Sequence, residues 1–168
     1  MRRTFVAVTA ALALIALLAG VADAGGGKPK NVKKAKADIE DAYECFLSGA
    51  LGYTIEQKAA CVQDIADDPA LLDLARQVDA ANAGASAMTE PVINKITFSS
   101  PKQADVSFDL VVGGEVLGDI APPGEAVLVK EDGKKVWKVS LATFCKLSVL
   151  GFPAAAAQGP CAAILVEG

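Results

Sequence analysis

Gln103-Ala104-Asp105-Val106-Ser107-Phe108-Asp109-Leu110-Val111-Val112 is the stretch that decides the fold. Ala104, Val106, Phe108, Leu110 and Val112 alternate with Gln103, Asp105, Ser107 and Asp109. Successive side chains of a strand point to opposite faces, so a period of two marks a strand half buried in an antiparallel sheet. Upstream, Val92 to Ser99 reads as an earlier strand, with Pro101 in the turn between the two. Downstream, Gly113-Gly114 leads into a shorter strand, Glu115 to Ile120. Pro122-Pro123-Gly124 turns the chain into a strand over 125–130. Asp132-Gly133, a strong hairpin signal, precedes a last strand over 134–141. These strands follow one another as a meander.

Before the linker 82–86 the period changes to that of helices. Ala35, Ile39, Ala42, Tyr43, Phe46 and Ala50 share one face, and Gly49 and Gly52 supply the stop. Thr54-Ile55-Glu56-Gln57 is a capping box, and the helix it opens carries Ile55, Ala59, Val62 and Ile65 on one side. Asp68-Pro69 pairs an N-cap with a first-turn proline and begins a third helix with Leu71, Leu72, Ala75 and Val78 inward. Helices followed by strands predict an α+β domain.

The 168 residues are 52% apolar and 21% charged, enough for one core and no more. Sixteen Lys and Arg against 20 Asp and Glu leave a net charge of −4, which argues against a nucleic-acid binder, normally a basic domain. There is no histidine, so the commonest general base and the commonest zinc ligand are missing together. No cofactor is expected. Asp64, Asp67 and Asp68 lack the loop pattern that gathers carboxylates around calcium, and Asp68 is already a helix cap.

Residues 1–24 read as a signal peptide. Arg2 and Arg3 precede the apolar run Phe5 to Ala22, and Ala22-Asp23-Ala24 offers small residues for cleavage after Ala24. The alternative is an uncleaved membrane anchor, since the run is just long enough to span. Leu18-Ala19-Gly20 is followed by Val21 and not by cysteine, so a lipid anchor is not expected. Residues 25–36, GGGKPKNVKKAK, carry five lysines and bury nothing, and read as a flexible linker. Its charge either attracts anionic lipid head groups or wall polymers, or merely keeps the cleavage site solvated. Residues 37–151 form the domain, and 152–168 a tail pinned by Cys161. An exported chain with Cys45, Cys61, Cys145 and Cys161 should hold two disulfides. Four cysteines allow three connectivities; the local one, Cys45–Cys61 and Cys145–Cys161, is the expected pairing.

Ile96-Thr97-Phe98 and Ala104 to Leu110, with the helices before them, resemble nuclear-transport-factor-2-like domains of secreted actinobacterial proteins. Ala126 to Val129, Asp132-Gly133, Trp137-Lys138-Val139-Ser140 and Thr143-Phe144-Cys145-Lys146-Leu147 are similar to the mycobacterial low-molecular-weight secreted antigen family. The likeness covers roughly residues 37–151. It implies a cone: three helices packed across the concave face of a curved antiparallel sheet, in the cystatin-like manner. Domains of this kind commonly dimerise through the convex face, so a homodimer stays open.

The fold alone delivers no chemistry, because it hosts isomerases, dehydratases and binding modules alike. An isomerase or dehydratase would need an acid or base facing a donor inside the cone. The tyrosines are Tyr43 and Tyr53, while Asp105 and Asp109 alternate away from the apolar face. No nucleophile elbow, phosphate loop or dinucleotide fingerprint is present. The expectation is a secreted, non-catalytic protein binding a small apolar ligand or a cell-envelope partner. Tyr43, Phe46, Phe98, Phe108 and Leu110 are its candidate pocket lining, and ordinary core packing is the other use for them. The alternatives are an enzyme using the cone and a membrane-anchored module that binds a partner. The apolar end Ala163 to Val166 could add a strand or dock elsewhere.

Overall fold

In the computed structural model of the chain, residues 27–117, 121–151, 153, 156 and 159–166 are described. The signal-peptide reading of residues 1–24 lies outside them. The alternating stretch becomes β2 (Gln103–Val112), and β1 (Thr89–Ser100) runs antiparallel along one of its edges. Its other edge is shared: β4 (Gly124–Glu131) pairs with Gln103 to Val106, and β3 (Glu115–Leu117) with Leu110 to Val112. β5 (Lys134–Val139) completes a five-stranded antiparallel sheet beside β4. Gly113, Gly114, Asp132 and Gly133 all have positive φ, the backbone that two-residue hairpins require.

In β1 the pairing skips Asn94, since Ile93 faces Phe108 and Lys95 faces Ser107. One extra residue resets the side-chain alternation, so Ile93 and Ile96 both reach the inner face although three residues apart. Ala104, Val106, Phe108, Ala126, Trp137 and Val139 line the same face and are buried.

Helix α1 (Val32–Leu47) lies against this face and buries Ala35, Ile39, Ala42 and Tyr43 on β5 and β1. It starts five residues earlier than the linker reading places it, so Lys33, Lys34 and Lys36 are helical. α2 (Ile55–Ala59) has the capping box at Thr54 and Gln57, but it ends after little more than one turn. The sequence reading carries it to Ile65; the free edge of β5 competes for that backbone. The Gln63 amide donates to the Val139 carbonyl at 2.9 Å, and the Val139 amide to the Cys61 carbonyl at 3.0 Å. Val62 and Ile65 are fully buried all the same. α3 (Pro69–Ala81) begins where Asp68 Oδ1 accepts from the amides of Ala70 and Leu71. The expected linker 82–86 contains a single-turn helix, α4 (Ala83–Ser86).

Helices also follow the sheet, so the order is not simply helices and then strands. The reading of 134–141 as one strand stops short at Val139, because Ser140 caps α5 (Leu141–Gly151). The Thr143 amide donates to Ser140 Oγ at 3.1 Å. Ala162–Val166 forms a short helix, α6, and not a strand. The class is α+β, an open antiparallel sheet with helices on one face. Among the described residues no helix is long and apolar enough to cross a membrane.

Candidate functional site

Both disulfides are local: Cys45 pairs with Cys61 and Cys145 with Cys161, their Cα atoms 6.2 and 5.4 Å apart. The first ties α1 to the segment that closes the edge of β5. The second ties α5 to the start of α6.

Tyr43 shows how the inside of the sheet is used. It is fully buried, its ring edge-on to Phe108 at 5.1 Å, and its hydroxyl donates to the Glu125 carbonyl at 3.1 Å. The same carbonyl accepts from the Ser140 amide at 2.9 Å, while Thr143 Oγ1 accepts from the Glu125 amide at 2.7 Å. One knot of buried hydrogen bonds therefore joins α1, β4 and the cap of α5. Burial pushes the Tyr43 phenol well above its ordinary 10.0. Stability tied to this neutral phenol is full below that ordinary value and is lost as pH rises from there toward the folded pKa. Tyr43→Phe should cost about 1 kcal/mol at neutral pH. It should also flatten the alkaline limb of a stability-against-pH curve from chemical denaturation; an unchanged limb would mean another group governs it.

Gly124 is the partner of that knot. A Cβ there would run into Tyr43 Oη and come within 2.8 Å of Phe108 Cε1. Phe98 packs on Trp137 with ring centroids 5.8 Å apart. This end of the sheet is filled by its own side chains.

An apolar pocket lies further along, where α1, α3 and α5 meet β2 and β3. It has a volume of about 310 Å³ and is walled by Phe46, Val78, Leu110, Leu117, Phe144 and Leu147, among others. Its polar neighbours are largely committed elsewhere. Ser148 Oγ donates to the Phe144 carbonyl at 2.8 Å, Thr89 Oγ1 to the Ala85 carbonyl at 2.8 Å, and Asn82 Nδ2 to the Val78 carbonyl at 2.8 Å. Lys58 and Asp79, both half-buried, are the charged members of the wall. Hydrocarbon is most of what a guest would meet.

A second cleft, about 360 Å³, opens beside β2 and mixes Lys95, Asp105, Pro122 and Pro123 with Phe108. Of the five pocket candidates read from sequence, Phe46 and Leu110 line the apolar pocket and Phe108 borders the second cleft. Tyr43 and Phe98 are packed in the core or against Trp137. Phe144 and Leu147 are missing from that reading, because they stand on α5. Ser140 with Thr143 three residues later, followed by Phe144, Leu147 and Ser148 at helical spacing, was the available signal.

No curated protein and no solved structure matches the chain. A family model described as low molecular weight antigen MTB12, C-terminal domain, matches residues 32–154. The match begins at the first residue of α1, runs through the whole sheet and takes in α5, the wall of the apolar pocket. With the Trp137–Ser140 and Thr143–Leu147 signature forming β5, the cap and the helix it opens, the chain belongs to the low molecular weight antigen MTB12 family, in its C-terminal domain.

Proposed function

We propose that this protein works outside the cytoplasm as a non-catalytic binding protein, taking a small apolar molecule into the pocket between α1, α3, α5 and the β2–β3 hairpin. The observation that carries the reading is the state of the wall. Phe46, Leu110, Leu117, Phe144 and Leu147 face a space of about 310 Å³, at the lower end of the size of small-molecule sites. The Thr89 and Ser148 hydroxyls and the Asn82 amide beside them already donate to backbone carbonyls. Such a wall gains from displacing water with hydrocarbon and offers little to a polar guest.

The non-catalytic part of the reading rests on Tyr43. Its hydroxyl is spent on a backbone carbonyl, and burial holds the phenol in its neutral form. Asp105 is exposed, and Asp109 accepts from Asn94 Nδ2 at 2.9 Å. The two disulfides and the antigen family fit an oxidising, extracytoplasmic setting.

The test is a fluorescence titration with N-phenylnaphthylamine, which brightens in apolar surroundings. Ala85 is exposed and lines the pocket, so Ala85→Trp can obstruct it without disturbing the core. The variant should bind the probe about tenfold more weakly, a change of roughly 1.4 kcal/mol, with its unfolding temperature unchanged. Equal binding by both proteins, or none by either, would sink the proposal.

A further inference from the structure

Lys28, Lys30, Lys33, Lys34 and Lys36 stand within nine residues, all five are exposed, and no acidic side chain lies among them. Three of them occupy the start of α1, whose first turn holds no acid. That end of a helix already carries a partial positive charge from its unpaired amides, so acids stabilise it and lysines oppose it. The platform beneath them is firm. Ala35 and Ile39 are buried, and Asn31 Oδ1 accepts from the Lys34 amide at 3.0 Å. Lys34 Nζ is held by Asp38 at 2.6 Å. From Asp38 to Asp79 the sign reverses, with ten acids against Lys58 and Arg76. Positive charge is thus gathered at one pole, where it costs the helix stability. An anionic partner would repay that cost.

We propose that this basic pole docks the protein on the surface of an anionic lipid bilayer. The charge is complementary, and the choice of residue narrows the partner. Residues 25–42 contain no arginine and no aromatic side chain. A glycan polymer would be gripped by stacked rings and planar guanidinium forks; lysines are point charges on flexible stems, suited to a fluid layer of head groups. The docking is separate from the pocket and does not depend on it.

The experiment is co-sedimentation of the protein, purified from its host, with phosphatidylcholine vesicles that contain or lack phosphatidylglycerol. The comparison variant replaces Lys28, Lys30, Lys33 and Lys36 by Gln and keeps the Lys34–Asp38 pair. Each lysine near a charged surface is worth about fivefold in affinity, so the variant should lose binding altogether. Added salt should release the native protein, since the attraction is screened within a Debye length. The four residues are exposed, glutamine is as helical as lysine, and removing positive charge from the start of α1 relieves the helix, so thermal unfolding should not fall and should rise at most slightly. Equal binding to both vesicle types, or no loss in the variant, would overturn the proposal. Capture by soluble polyphosphate without vesicle binding would overturn it too, in favour of an anionic polymer.

Discussion

Gly49→Ala is expected to lower stability by roughly 3 kcal/mol, the upper part of the usual range for overpacking, and the unfolding temperature by about 10 °C. A Cβ on Gly49 would collide with the carbonyl oxygen of Ser86 and with the backbone of Ala87. Backbone cannot turn aside as a side chain can. The Gly49 amide also donates to the Thr89 carbonyl at 2.8 Å, so the end of α1 is fastened to the start of β1 at that spot. Moving one element to relieve the clash would strain the other. Gly84 is the control: a Cβ there meets nothing within 4 Å, and the residue is helical. Gly84→Ala should be neutral or slightly stabilising. Thermal denaturation of the pair decides the point, and two equal midpoints would show that α1 and α4 do not pack this closely.

Losing both disulfides should be the other large effect. Each closes a loop of sequence separation 16, worth roughly 3 kcal/mol in the chain-entropy account. Together they amount to a large part of the roughly 5–15 kcal/mol that holds a typical domain. The reduced protein should therefore unfold at far lower denaturant than the oxidised one. The two bridges should differ in what they release. Cys45→Ser with Cys61→Ser frees the segment that pairs with β5, so the Val139 amide, bonded to the Cys61 carbonyl, should exchange faster with solvent. Cys145→Ser with Cys161→Ser loosens α5, which carries Phe144 and Leu147, and should weaken the apolar probe as well. Unfolding midpoints unaffected by reductant would contradict the account of both.

What could be read from the sequence was what local chemistry decides. The alternation over Gln103–Val112, the glycines at 113, 114 and 133, and the caps at Thr54 and Asp68 act within a few residues, and each stands in the structure as it reads. The failures have distant causes. α2 stops at Ala59 because the edge of β5, some eighty residues further on, takes its backbone hydrogen bonds. Ser140 and Leu141 continue an alternating pattern that hides the local cap signal at Ser140 and Thr143. The Glu125 carbonyl, accepting from the Ser140 amide, helps hold Ser140 as a cap and not a strand residue. The candidate site suffered from that second failure. Phe46 and Leu110 were in view, but one side of the wall, with Phe144 and Leu147, stands on α5, and a pocket cannot be assembled without it.

The central claim is that the pocket between α1, α3, α5 and the β2–β3 hairpin carries an apolar guest. A native mass spectrum of the protein recovered from its own host's culture medium tests it most directly. The account predicts mass beyond that of the chain with two disulfides, lost on denaturation and absent from Ala85→Trp. The bare mass in both proteins, or the same extra mass in both, would contradict it.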